Sequence, residues 1–267
     1  MKTRAITGLI FVLVMLASLL SGAYVFVVFY VFLSIICLME FFTLVQTTGL
    51  KPHKTIGYIA AFIIFASVAS RYFFDFESKW LLINIPLLAG IFIKELYKKS
   101  ELPFSNIAYT FLGLIYAVVP FVFYVSLAFV SGVYNFHLAL GFFLMLWAND
   151  TGAYLFGVKF GKHRLFERHS PKKSWEGFFG GIFTSLLVAY IISIFYTDYA
   201  FYHWMAMGLI ISCFGTLGDL VESMFKRSIA IKDSGKILPG HGGVLDRFDG
   251  LLLAAPVIFV YLYLITY

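Results

Sequence analysis

The chain has 267 residues, 61% of them hydrophobic and 13% charged, with 32 Phe and a mean hydropathy of +0.90. A composition this apolar excludes a soluble domain of that size, and its recurrent apolar runs predict an all-α polytopic membrane protein. The formal net charge of +6 then reads as basic cytoplasmic loops facing anionic lipid or nucleotide, with no nucleic-acid partner.

Lys2 and Arg4, the run Ile6 to Leu20 and the small residues Ser21-Gly22-Ala23 have the pattern of a signal peptide. Another apolar run starts at once, so an uncleaved first span joined to the second by a tight Ser-Gly turn is the expectation. About nine transmembrane helices are predicted, over 5–20, 23–44, 55–70, 80–94, 105–130, 136–158, 175–196, 201–225 and 250–267. Two of them, 55–70 and 80–94, are short for a hydrocarbon core of about 30 Å. Cys37 and Cys213 lie inside apolar runs and read as packing residues. Ser170 followed by Pro171 has the chemistry of an N-cap and first helical residue opening the seventh span. No internal repeat or long linker divides the chain. It reads as a single integral-membrane domain, 1–267, with a scaffold over about 1–130 and the functional site over about 136–267.

Charge orients these spans. With nine of them, 18 of the 20 Lys and Arg residues fall on the side of the N-terminus, and only Arg71 and Lys79 fall opposite. The basic side is cytoplasmic, which places the N-terminus in the cytoplasm and the C-terminus outside.

The densest polar stretch is 219–249, where five acidic residues, five basic residues and a histidine share thirty-one positions. Asp219, Glu222, Ser223 and Lys226 fall at i, i+3, i+4 and i+7, one stripe of a helix. Asn149 and Asp150 interrupt the sixth span, and Asp246 and Asp249 open the ninth. Ionisable groups inside a membrane are costly and normally pair, line a wet cavity or bind ions. The plain alternative is that each carboxylate pairs with a neighbouring Lys or Arg. Convergence of several on one face beside basic loops favours an ion site, and oxygen donors of this kind suit Mg²⁺. Leu238-Pro239-Gly240-His241-Gly242-Gly243 is a glycine-rich turn whose amides can face an anion, with Lys226, Arg227, Lys232 and Arg247 around it in sequence. On its own it is an ordinary surface turn, and His241 an interfacial polar residue. Lys172 and Lys173 beside a helix N-terminus could hold a phosphate, though a basic juxtamembrane run equally serves topology.

Taken together, Ser223-x-Phe225-Lys226-Arg227-x4-Lys232-Asp233-x-Gly235-x2-Leu238-Pro239-x-His241-Gly242-Gly243-Val244-x-Asp246-Arg247-Phe248-Asp249 resembles the signature of the phosphatidate cytidylyltransferases, or CDP-diacylglycerol synthases. The likeness runs unbroken through 27 positions, 223–249, and Asn149-Asp150-Thr151 and Ser170 to Gly177 are similar to further shared segments. The first hundred residues add only general likeness.

The resemblance implies transfer of the cytidylyl group of CTP to phosphatidic acid, giving CDP-diacylglycerol and pyrophosphate for phospholipid biosynthesis. It implies Mg²⁺, as one cation or a pair, at the cytoplasmic face of a bacterial-type inner membrane, with a homodimer left open. Asp219, Lys226, Arg227 and Asp246 are the expected catalytic residues, and Asp219, Asp246 and Asp249 the expected metal ligands, Asp219 and Asp246 sharing one cation. Ser223, Lys226, Arg227, Lys232, His241, Gly242, Gly243, Arg247, Lys172 and Lys173 are expected on the CTP phosphates, supported by Asn149, Asp150, Glu222 and Asp233. The rival readings are a CTP-dependent kinase of a membrane alcohol, a transporter of an anionic nucleotide, and a scaffold. A kinase would release CDP instead of pyrophosphate, and a transporter would place its polar groups near the midplane between repeats.

Overall fold

The structure, a computed structural model, describes residues 2–231, 234, 235, 237 and 242–267. Its helices are α1 (Lys2–Leu20), α2 (Ala23–Gln46), α3 (Lys54–Phe74), α4 (Asn84–Leu96), α5 (Pro103–Ala117), α6 (Val119–Leu127), α7 (His137–Phe160), α8 (Trp175–Phe195), α9 (Phe201–Ser228) and α10 (Leu245–Thr266), with a short 3-10 helix over Ser78–Ile83. Two short antiparallel strands, β1 (Arg164–Phe166) and β2 (Ser170–Ser174), stand between α7 and α8. They qualify the all-α expectation.

All nine expected spans fall on helix. Among the described residues, six are long and apolar enough to cross a membrane: Ala23–Gln46, Lys54–Phe74, Pro103–Leu127, Trp175–Phe195, Phe201–Ser228 and Leu245–Thr266. The three others fall short for different reasons. The apolar part of α1 is Ile6–Leu20, and α4 has 13 residues. Helix α7 has 24, but Asn149, Asp150, Thr151 and Lys159 dilute its apolar character. The expected span 105–130 is two helices, because Pro120 offers no N–H to continue α5 and instead sits in the first turn of α6.

The chain divides into two compact units, Met1–Tyr134 with Asp233–Arg247, and Asn135–Lys232 with Phe248–Tyr267. In the first unit α2 packs on α1, α3, α5 and α6. Its apolar residues occupy every face: Phe26, Tyr30, Cys37, Phe41 and Phe42 are buried, while Val25, Val28, Phe32 and Met39 are exposed, as suits a helix with one side towards hydrocarbon. Tyr30 stands between Phe26, at 4.9 Å between ring centroids, and Tyr124, at 4.8 Å, and all three are fully buried. A buried polar network ties the α2–α3 connection to α4 and α5. Lys51 N–H donates to Asn106 (2.7 Å), His53 N–H to Thr110 (2.9 Å), and Asn106 Nδ2 to Glu95 (2.8 Å). The second Glu95 oxygen lies 2.6 Å from His53 Nε2.

In the second unit α7 packs along α8. Thr184 Oγ1 on α8 donates to the carbonyl of Ala148 on α7 (2.9 Å), with Gly152 offering no side chain in its way. Helix α9 packs on α8, where Ser185 Oγ donates to Gly208 O (3.2 Å). At Gly218 a Cβ would collide with the carbonyl of Asp249. Only glycine lets α9 come this near the start of α10.

Candidate active site

The second unit builds its site on the turn from β2 into α8. Strand β2 pairs Ser174 with Arg164 and Ser170 with Phe166, so Ser170 and Pro171 are extended and do not open the helix as expected. The cap is Ser174, whose side chain accepts from Gly177 N–H at 3.1 Å. Pairing with β1 withholds residues 170–174 from the helix, and Ser174 is the last hydroxyl before the apolar run. Glu176, in the first turn, closes the hairpin base by accepting from Lys162 N–H (3.1 Å) and contacting His163 Nδ1 (2.7 Å). Lys172 and Lys173 therefore project from a strand just ahead of the helix and not from its first turn.

Both lysines line a pocket of about 350 Å³ together with Asn149, Asp150, Thr216 and Asp219. Tyr154, Val158, Leu165 and Phe178 supply an apolar wall. Lys173 Nζ lies 2.6 Å from Asp219 Oδ2, while Asp219 Oδ1 accepts from Ser223 Oγ at 3.3 Å. One turn along α9, Lys226 Nζ donates to Glu222 at 2.7 Å, and the Glu222 side chain is buried. Asp249 accepts from Gly250 N–H (2.7 Å), and its backbone carbonyl faces Gly218 on α9. Asn149 is buried, and its Oδ1 has no hydrogen-bond donor among the described residues.

The first unit holds the glycine-rich segment. Asp246, in the first turn of α10, accepts from the N–H groups of Ser234 (2.9 Å) and Gly243 (2.9 Å). Gly242 adopts φ +86°, where an L side chain is strained. Glu40, from α2, accepts from Val244 N–H (3.0 Å) and Leu245 N–H (2.8 Å). Arg247 is exposed.

The expected residues thus sort into groups. Asn149, Asp150, Lys172, Lys173 and Asp219 line one pocket, and Glu222, Ser223, Lys226 and Asp249 belong to the same unit. Arg227 turns to the α9 C-terminus, donating to Ile231 O at 3.1 Å. Gly242, Gly243, Asp246 and Arg247 belong to the first unit. Lys232, Asp233 and His241 lie outside the described residues. Reading the sequence missed Thr216 and the apolar wall, which carry no signal beyond helical spacing. It also missed Glu40, a lone carboxylate within the apolar run 23–44, whose intramembrane charge was the available clue.

Divalent-cation chemistry can be tested against these donors. Among the described residues no three His, Cys, Asp or Glu side chains form a ready ligand group. Mg²⁺ does not need one. It takes one or two carboxylates and completes its shell with water and phosphate oxygens. Asp219 and Asp249 are hard oxygen donors of one unit, on helices that meet where Gly218 faces the Asp249 carbonyl, and two such carboxylates fit that requirement.

The profile of the family described as Cytidylyltransferase family matches residues 2–265. A phosphatidate cytidylyltransferase of Staphylococcus aureus (strain COL) is 37% identical over 265 residues, covering 97% of each chain. Proteins of the same name from Staphylococcus haemolyticus and Staphylococcus saprophyticus are 34% and 35% identical over 261 residues, again covering 97% of each chain. The chain belongs to the cytidylyltransferase family.

Proposed function

We propose that the chain transfers the cytidylyl group of CTP to phosphatidic acid. An oxygen of the lipid phosphate attacks the α-phosphorus of CTP. The bond from that phosphorus to the bridging oxygen of the β-phosphate breaks, and pyrophosphate leaves. The observation that carries this reading is the pocket in which Lys172, Lys173 and Asp219 meet an apolar wall. Phosphatidate needs a cationic place for its headgroup and an apolar one for its acyl chains, and this pocket offers both.

The lipid phosphate is already anionic at neutral pH, so a strong general base is not required. The protein must hold two mutually repelling anions in line and balance charge on the leaving group. Lys172 and Lys173 take the lipid phosphate in this reading. Lys226, Arg227 and Arg247, with Lys232, His241 and the amide of Gly242, are proposed on the triphosphate, with Gly243 beside them allowing close approach while its own amide stays on Asp246. Lysine acts there as a point charge and arginine as a fork. Asp246 remains proposed within the catalytic machinery, its carboxylate also bracing the loop. Mg²⁺, one or two ions held by Asp219 and Asp249 and by Asp246, would neutralise phosphate charge as a Lewis acid. Ser223 and Lys173 set the orientation of the Asp219 carboxylate, and Asn149 offers its Oδ1 as a further acceptor.

The site is proposed at the cytoplasmic face of a bacterial inner membrane, with nine spans, on the strength of the 18-to-2 basic asymmetry. Cysteine labelling at positions 51 and 98 tests this, and labelling only from outside would reverse the orientation. The activity test uses detergent-solubilised protein with CTP, phosphatidate and Mg²⁺. CDP-lipid and pyrophosphate in equal amounts are expected. Release of CDP with a newly phosphorylated lipid would instead mark a kinase.

A further inference from the structure

The function proposed above engages the N-terminal helices only as support, yet one of them sends a carboxylate into the signature segment. Glu40 is 5% exposed on the otherwise apolar α2. Its Oε1 accepts from Val244 N–H at 3.0 Å, and its Oε2 from Leu245 N–H at 2.8 Å. Those amides open α10, where the first N–H groups of a helix have no partner within it. A carboxylate is the favoured group at that end of the helix. Ser234 Oγ approaches the same Oε2 at 3.4 Å.

The backbone around Glu40 has the shape of its carboxylate. A Cβ on Gly235 would collide with Glu40 Oε1, and one on Gly243 would stand 2.6 Å from Oε2. Asp246 completes the arrangement from within the segment, accepting from Ser234 N–H and Gly243 N–H. Two carboxylates therefore engage four backbone amides, those of residues 234, 243, 244 and 245. They fix both described flanks of the glycine-rich turn and the first turn of α10, which carries Asp246 and Arg247.

We infer that Glu40 is a positioning residue for the cytidylyl-transfer site: it clamps the amides at the start of α10 and so sets the orientation of Asp246 and Arg247. The inference rests on the proposed function. A glutamine at this position keeps the volume but turns an NH₂ towards one of the two amide donors, so one hydrogen bond is lost and a donor faces a donor. The site would then be built but misaligned. Misalignment lowers the rate more than it lowers the binding of CTP or phosphatidate.

The test compares Glu40→Gln with Glu95→Gln, which alters a buried carboxylate of the same unit outside the clamp. Turnover and KM for CTP and phosphatidate are measured per folded protein, with folding followed by size exclusion and thermal midpoint. For Glu40→Gln the expected result is a kcat loss of about 10-fold or more, with both KM values within about twofold. Glu95→Gln should lose thermal midpoint and keep kcat. Equal kcat for the two variants would reduce Glu40 to a structural residue and overturn the inference. Should Glu40→Gln fail to fold, Gly235→Ala pushes on the same carboxylate without removing its charge, and an unchanged kcat there is equally fatal. Hydrogen exchange over peptides spanning 242–248 reads the clamp without substrate. Glu40→Gln must raise exchange there, and unchanged exchange sinks the clamp even if the wild type is fully active. A wild type that makes no CDP-lipid would instead refute the cytidylyltransferase reading, and the catalytic half of this inference with it.

Discussion

Four carboxylates, two in each unit, are neutralised by different means. In the second unit Asp219 pairs with Lys173 and Glu222 with Lys226. In the first unit Glu40 and Asp246 are met by backbone N–H groups. A lysine is a mobile point charge on a flexible stem and can leave its partner for an arriving phosphate. A backbone amide cannot leave. The Lys173–Asp219 pair, open to the pocket, is therefore suited to an exchange in which substrate anion and metal cation replace it, whereas the buried Glu222 needs its lysine. The amide-held carboxylates are suited to fixing geometry.

The strongest test of this contrast is Lys226→Ala. Glu222 is buried, and breaking a buried pair from one side typically costs about 3–5 kcal/mol. The thermal midpoint in detergent should fall steeply. The double variant Lys226→Met with Glu222→Leu should recover most of it, because replacing both partners removes the charge that needs compensation. If the single variant melts like the wild type, the pair is incidental to stability.

Next in size comes Lys173→Ala. Its partner Asp219 is open to the pocket and can be hydrated, so stability should change little. Turnover should fall about 10²–10³-fold, the usual loss for one preorganised electrostatic group. Asp219→Asn should do the same and also alter the Mg²⁺ dependence of turnover. Near-normal turnover with an unchanged Mg²⁺ titration would make the pair structural and end the exchange idea.

A pair of glycine variants sharpens the difference between the units. Gly218→Ala sets a methyl against the carbonyl of Asp249 in the second unit, and Gly243→Ala sets one against Glu40 and Ser234 in the first. Each overpacks its contact and should cost about 1–3 kcal/mol, read as a lower thermal midpoint. Their catalytic effects should differ in kind. Gly243→Ala disturbs the amide clamp and should lower kcat beyond what its stability loss explains. Gly218→Ala should disturb Asp249 and raise the Mg²⁺ needed for half-maximal turnover.

How much of this the sequence disclosed follows from where each signal lies. Helical runs were legible because burial in lipid or against other helices forces long apolar stretches, and each of the nine expected stretches is helical. Residues Asn149, Asp150, Lys172, Lys173 and Asp219 were singled out because charge is rare in this chain, and the structure gathers them around one pocket. The hairpin was not legible. Arg164–Phe166 is three residues long, too short for alternation to register, and Ser170-Pro171 imitates a helix start. The break at Val118 was hidden inside a continuous apolar run. Glu40 has no polar neighbours to form a pattern with, yet a single carboxylate deep in an apolar helix carries as much information as a dense polar stretch.

The smallest expected effect probes a carboxylate paired in a third way, with a titratable imidazole. His53 is buried in the α2–α3 connection, where Glu95 Oε2 stands 2.6 Å from its Nε2 and Lys94 and Lys98 add positive charge. Burial pulls the imidazole below its ordinary value, and the Glu95 charge opposes that pull without overcoming it. The sign follows from linkage. A group held neutral in the fold contributes stability above its unfolded value, about 6.5 for histidine, and loses it as pH falls through the lower folded value. Thermal midpoints measured in detergent from pH 8 down to pH 5 should therefore decline more for the wild type than for His53→Gln, which cannot titrate. The decline should begin below about pH 6.5 and remain smaller than the glycine effects. A wild type that gains stability over the variant on acidification would mean that the Glu95 charge dominates. His53 and Glu95 would then be a true ion pair, resembling Lys226 and Glu222 more than the amide-held carboxylates of their own unit.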